Sequence, residues 1–214
     1  MAATSRTPSV SAPVLPSQLG LRERKKLRTR VGIRRATYRL IAEQGYDATT
    51  IEQIAERAEV SPSTVFRYFA TKEDIVLSDG YDRFLEAELR RRPVDEPPLT
   101  SLRFVMTGAL SAFLAAEEEL RDRTRLMVEV PAVRARMTQS MCDTAKLLAD
   151  VLAERSGRDP DDLEVRVFVA AVLGALREVA LHWGEHGGRG DLVAMFDQAL
   201  DTLEGGLTLR ASVP

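Results

Sequence analysis

Residues 46–75, YDATTIEQIAERAEVSPSTVFRYFATKEDI, hold two short helical patterns in tandem, the second with a polar leading edge. Thr49 or Thr50 can cap the first, and Glu52 or Gln53 three residues on completes a capping box. Ile51, Ile54, Ala55 and Ala58 then fall at i, i+3, i+4 and i+7, one apolar stripe about two turns long. After a short turn, Ser61 is the natural cap of the second helix. Pro62 takes its first position, where a missing N–H costs nothing. The spacing turns Val65, Phe66 and Phe69 inward. It leaves Ser61, Ser63, Thr64, Arg67 and Tyr68 on or near the outer, N-terminal side, the side a reading helix presents to base edges and phosphates. A third helix is expected from Thr71, with Asp74 at its third position. Lys72 there opposes the helix dipole, a conflict that a bound phosphate would relieve.

The net charge of −2 hides an uneven distribution. Residues 1–80 hold 13 Lys and Arg against 9 Asp and Glu, whereas residues 81–214 hold 17 against 23. The excess is densest in LRERKKLRTRVGIRRATYR, residues 21–39, where Arg28, Arg30 and seven further cations meet only Glu23. Such a run attracts polyanions, with binding that weakens steeply as salt rises. A solvated helical face is the bland reading of a charge run. Its place just ahead of a reading helix points instead to an arm or phosphate clamp.

The whole segment, TTIEQIAERAEVSPSTVFRYFATKEDIVL with the preceding IRRATYRLIAEQGYDATT, resembles the helix-turn-helix of the TetR family of transcriptional regulators over about residues 24–80. The resemblance implies an all-helical homodimer. Its N-terminal three helices bind a palindromic operator in double-stranded DNA, and its C-terminal helices bind a small-molecule effector. By the same resemblance Thr50, Ser61, Ser63, Thr64, Arg67, Tyr68 and Lys72 occupy the DNA-contact positions. Two residues depart from the family's pattern. Phe66 stands where Tyr is common, so a phenolic phosphate contact is absent. Glu59 stands where Gly is usual in the turn, and a non-glycine residue at positive φ costs on the order of 1 kcal/mol.

The rest of the chain reads as helix throughout. Residues 1–20, rich in Ala, Ser, Thr and Pro, read as a disordered tail rather than a signal peptide. Residues 21–91 form the DNA-binding head: a helix over 22–44 ending at Gly45, the motif, and a helix from Thr71 to about Arg91 with Leu77, Tyr81, Phe84, Leu85 and Leu89 inward. RRPVDEPPL breaks the pattern, as its prolines require, and residues 92–214 form the effector-binding and dimerisation domain. There, a helix spans 100–116, and 117–155 holds two helices or one kinked at Pro131. Asp159, Pro160 and Asp162 start a helix whose middle, VFVAAVLGAL, is apolar all round and must be covered on more than one side. The last helix sets Leu192, Met195, Phe196, Ala199, Leu200, Leu203 and Leu207 in one stripe. A two-fold interface explains such a pair, and in the family these helices form a four-helix bundle between subunits.

Candidate effector-lining residues are Phe104, Phe113, Met127, Val130, Met137 and Met141, with Arg177, Arg103 or Arg134 available to an anionic group. Each is also ordinary core or an ordinary ion pair. RTRLMVEVPAVRARM and ALREVALHW are similar to the C-terminal part of the mycofactocin-system regulators, which suggests a long-chain acyl-CoA or other lipophilic effector. His182, Glu185 and His186 spell H-x-x-E-H, which could place two imidazoles on a zinc ion for a metal-responsive regulator, or for a zinc enzyme given a third ligand. His186 before Gly187 also fits a plain helix C-terminus, and no metal site or cofactor is assigned. No nucleophile motif or glycine-rich phosphate loop is present, so no enzyme activity is expected. The single cysteine, Cys142, excludes an intramolecular disulfide, fits a cytoplasmic protein, and by spacing with Met141 and Ala145 is expected in the core. The longest apolar run, Val167 to Leu176, is half a membrane span, so no membrane association is expected.

Overall fold

The computed structural model describes residues 21–77, 82–114 and 117–207; the tail expected over 1–20 and the segment carrying Tyr81 lie outside them. All regular elements among the described residues are α-helices: α1 (Leu21–Gln44), α2 (Ile51–Arg57), α3 (Pro62–Tyr68), α4 (Lys72–Leu77), α5 (Asp82–Arg91), α6 (Pro98–Leu114), α7 (Glu117–Glu129), α8 (Pro131–Ser156), α9 (Leu163–Glu185) and α10 (Leu192–Glu204). Pro131 therefore separates two helices. Pro cannot donate the intrahelical bond at that position, and Val130 leaves the helical conformation to cap α8. Whether α4 runs on into α5, and how the Phe84 side chain lies, fall outside the described residues.

The head is built on Ile33 and Leu40 of α1, Ile54 and Ala55 of α2, Val65 and Phe69, and Ile75 of α4. Ile33, Ile54, Val65 and Ile75 are fully buried, and each such side chain stabilises the head by about 1.5–3 kcal/mol. Of the two threonines able to cap α2, Thr50 does so, in a full capping box with Gln53. Thr49 is buried, and its hydroxyl bonds the Gly45 carbonyl at 2.8 Å. Phe66 departs from its expected place. It is 55% exposed, because Val65 and Phe69 already fill the inner side of so short a helix.

In the body, α9 packs against α7, α8 and α10. Val165, Val169, Val172, Leu173, Val179 and Trp183 are its buried face. Gly184 lets α7 approach closely: a Cβ there would stand 3.0 Å from the Thr124 carbonyl oxygen. The α9 cap is Asp162, so Asp159 and Pro160 lie in the preceding turn rather than at the helix start. Leu207 falls beyond α10 at φ 59 and 67% exposed, so the buried stripe of the last helix ends before it. Cys142 is exposed rather than core, since α8 turns its neighbours Met137 and Met141 inward and not the thiol. The helix α5 packs on α6 and α8, with Leu85 and Leu89 in the body core.

Arg155 organises the turn between α5 and α6. Its guanidinium donates to the carbonyls of Leu89, Arg92 and Pro93 and to the Ser101 hydroxyl. In the same turn the Arg92 guanidinium pairs with Glu96 and lies 3.9 Å over the Phe104 ring.

Candidate nucleic-acid interface and its seam to the body

Ser61 caps α3 by accepting the Thr64 amide at 3.2 Å, and Pro62 sits in its first turn. The Ser61 hydroxyl also lies 2.9 Å from that of Ser63 and 3.0 Å from that of Thr64, which gathers three hydroxyls at the helix N-terminus. Arg67 reaches the Thr64 hydroxyl at 3.4 Å and lies 5.5 Å over the Tyr68 ring. Ser61, Ser63 and Arg67 are exposed and Thr64 and Tyr68 half-buried: the three hydroxyls gather at the N-terminus of α3, and Arg67 and Tyr68 stand in its last turn. Thr50, at the start of α2, is exposed as well. Arg28 is exposed on α1, while Arg30 stacks 5.0 Å over Phe69, at the far end of α3. Not all of the basic run is free for polyanions, because Arg34 pairs with Glu119 of α7.

Lys72 is held differently from the sequence reading. Its ammonium donates to the carbonyls of Tyr46 at 2.8 Å and Thr49 at 2.9 Å, and it sits 3.9 Å over the Tyr46 ring. The conflict with the helix dipole is thus relieved inside the head, by carbonyl oxygens and a ring face. An ammonium has three donors, so one N–H remains beyond those two bonds. The Tyr46 hydroxyl in turn donates to Glu73. Burial alone would raise the Glu73 carboxyl, but hydrogen bonds from Tyr46, its own amide and Thr71 outweigh it and hold the group below its ordinary value.

Sequence reasoning missed the contact that joins head and body. Asp74 forms a capping box with Thr71: its amide donates to the Thr71 hydroxyl at 3.1 Å, and its carboxylate accepts the Thr71 amide at 3.1 Å. The other carboxylate oxygen accepts Arg136 Nε of α8 at 2.7 Å. The T-x-x-D pattern was visible, but a partner 62 residues away leaves no local signal. Alongside, Tyr38, Ile41, Val76 and Leu77 of the head pack on Leu126, Met127, Val133 and Met137 of the body. Burial pushes the Tyr38 phenol well above its ordinary pKa, so it stays a neutral donor to the Val76 carbonyl at 3.0 Å.

Of the candidate effector residues, Met127 and Met137 are buried in this seam, Val130 packs on it, and Met141 touches both the seam and the body core. Phe104 stands apart, half-buried against the body core under Arg92. Arg177 is exposed, and the Phe113 side chain lies outside the described residues. Arg134 caps α7 through the carbonyls of Met127 and Val128, and Arg103 pairs with Asp197, Asp201 and Glu204. The His182 and His186 rings face each other at 4.1 Å, with His186 Nδ1 2.7 Å from the His182 carbonyl oxygen. No group of three or more His, Cys, Asp or Glu side chains among the described residues is placed to hold a metal ion. No described helix is long and apolar enough to cross a membrane.

Comparison with known proteins follows the same division. Residues 33–78 match the tetR family of bacterial regulatory proteins, and residues 96–208 match the MftR C-terminal domain. The chain is 35% identical over 212 residues to the HTH-type transcriptional regulator TcmR of Streptomyces glaucescens, covering 94% of this chain and 93% of that one. It is 26% identical over 179 residues to the fatty acid metabolism regulator protein of Bacillus subtilis, covering 80% and 92%. Among solved structures, that of the transcriptional regulator FadR from Bacillus subtilis in complex with stearoyl-CoA superposes with a TM-score of 0.58 at 25% identity, covering 82% of this chain and 98% of that one. With both family models matched and a relative 35% identical along nearly the whole length, the chain belongs to the TetR family of bacterial transcriptional regulators.

Proposed function

We propose that this regulator is a repressor that grips a palindromic operator as a homodimer and is released by a small lipophilic effector of the acyl-CoA class. The observation that carries the reading is the seam. Met127, Val130 and Met137, on the effector side, pack directly on Tyr38, Val76 and Leu77 of the head. A ligand that repacks those side chains acts on head orientation without an intermediary, and only a ligand that favours one arrangement shifts the equilibrium. The acyl-CoA class is supported by the FadR relative, whose structure holds stearoyl-CoA. The dimer is supported by α9, which buries one face in the body and leaves Leu163 and Val167, 74% and 57% exposed, uncovered on another together with Ala170 and Ala171. In this reading Ser61, Ser63, Thr64, Arg67 and Tyr68 face the major groove. Thr50, Lys72, Arg28 and Arg30 hold phosphates, since such contacts set register while base contacts set sequence.

The test is a salt-resolved titration of the protein against duplexes from its own upstream region and a scrambled duplex, with and without stearoyl-CoA. Selective binding with two chains per site, weakened by stearoyl-CoA, is the expected outcome. Equal affinity for both duplexes at every salt concentration refutes the reading of the head, and tighter binding with the effector refutes release.

A further inference from the structure

The reading helix carries one large exposed apolar side chain. Phe66 is 55% exposed, outside the core that Val65 and Phe69 fill, with Pro62 and Ser63 one turn before it and Arg67 next to it in the chain. The head core is complete without its ring. The neighbouring polar groups are engaged with one another: the hydroxyls of Ser61, Ser63 and Thr64 form a cluster, and Arg67 leans to Thr64 and over Tyr68. The phenyl ring is left uncovered between them. The other exposed large apolar side chains among the described residues lie outside α3, so Phe66 belongs to no broad apolar surface on which a protein could seat.

We propose that Phe66 is a specificity-determining residue whose ring packs against the C5-methyl group of a thymine in each operator half-site. The inference rests on the DNA-reading role given to α3 above. A phenyl ring cannot hydrogen-bond a phosphate or a base edge, and the apolar group that the major groove presents is the thymine methyl. Burying one methyl against the ring corresponds to about fourfold in affinity. A two-fold dimer makes the contact twice, giving about 15-fold over the whole site. The phenyl therefore favours thymine over cytosine at one position, where the hydroxyls and Arg67 alone would not.

The experiment selects binding sequences from a random duplex pool with the full-length protein and with Phe66→Ala, then replaces each enriched thymine by deoxyuridine, which differs only in the missing methyl. The expected result is one thymine per half-site at which deoxyuridine weakens wild-type binding about fourfold. Phe66→Ala should show no such penalty, and its selected pool should lose the preference for thymine there. Absence of any deoxyuridine penalty for the wild type, or its persistence in Phe66→Ala, overturns the inference. Equal weakening of every duplex by Phe66→Ala also overturns it, since that outcome places the ring on the sugar–phosphate backbone. No enrichment by the wild type overturns the DNA-reading role itself, a failure recognisable because Arg67→Ala and Lys72→Ala then also leave DNA binding unchanged.

Discussion

Arg136→Ala cuts the link between α8 and the cap of α4, and its cost follows from the geometry. The Asp74 side chain is 10% exposed and that of Arg136 33%. Removing one partner of a fully buried pair costs about 3–5 kcal/mol, because the other charge stays buried and bare. Here Arg136 already meets solvent, so its departure admits water, and Asp74 keeps the amide of Thr71. What remains is the loss of one charge-assisted hydrogen bond, about 1.5–3 kcal/mol. We expect a loss of about 2 kcal/mol in urea unfolding, a midpoint lower by about 1 M at an m of about 2 kcal/mol/M. Asp74→Asn keeps the shape of the cap, so the double variant isolates the pair, with an expected coupling of about 1–2 kcal/mol. The same variants, titrated on operator DNA with and without stearoyl-CoA, should show a smaller effector-induced loss of affinity than the wild type. A coupling below about 0.5 kcal/mol with an unchanged effector response would refute the reasoning.

Lys72→Ala should weaken binding to all sequences alike and flatten the slope of log K against log salt by about one unit, whereas Arg67→Ala or Tyr68→Ala should relax sequence preference; fluorescence titrations over a salt series distinguish the two. Glu59 holds φ 54 in the turn between α2 and α3, so Glu59→Gly should raise stability by up to about 1 kcal/mol in thermal unfolding, and a lower midpoint would show the turn to be unstrained. The Arg92 guanidinium, with help from the Ser101 hydroxyl, holds the Glu96 carboxyl below its ordinary value. That stabilisation is complete above the unfolded carboxyl pKa of about 4.3 and is lost as pH falls through the lower folded value. Glu96→Gln should therefore flatten the acid limb of the stability profile, and an identical limb would remove the pair from the account. Val167→Glu puts a charge on the exposed apolar side of α9 and should shift the dimer to monomer in analytical ultracentrifugation; an unchanged mass would place the interface elsewhere.

The head was legible because its devices are local. Caps, a first-position proline and an apolar stripe all lie within a few residues of what they act on, and Thr50, Ser61 and Pro62 took the expected roles. Phe66 was misread because periodicity assigns a side chain to a face but not to a depth, and a seven-residue helix has room for few inward positions. Cys142 failed for a related reason: on a 26-residue helix covered unevenly, membership of an apolar pattern does not settle which edge of the stripe is sealed. Lys72 and Asp74 show the other limit. Charge logic at the start of α4 identified a conflict and a cap. Their partners, the carbonyls of Tyr46 and Thr49 and the guanidinium of Arg136, come from 23 to 62 residues away and are set by tertiary packing. Residue type and place between the domain boundary and the last two helices mark the candidate effector residues, and of these Met127, Val130, Met137 and Met141 meet the head in space.

The two sides of the molecule's joint differ in stiffness. Four of the core side chains that hold the head together, Ile33, Ile54, Val65 and Ile75, are β-branched and confined at χ1. The seam beneath it includes Met127, Met137 and Met141, unbranched and free to change rotamer without opening a void. A tilt of the head is then absorbed by thioether side chains sliding over Tyr38 and Val76 rather than by deformation of the reader. The molecule is a stiff stylus on a compliant bearing, and replacing those methionines with isoleucine would stiffen the bearing while leaving the stylus unaltered.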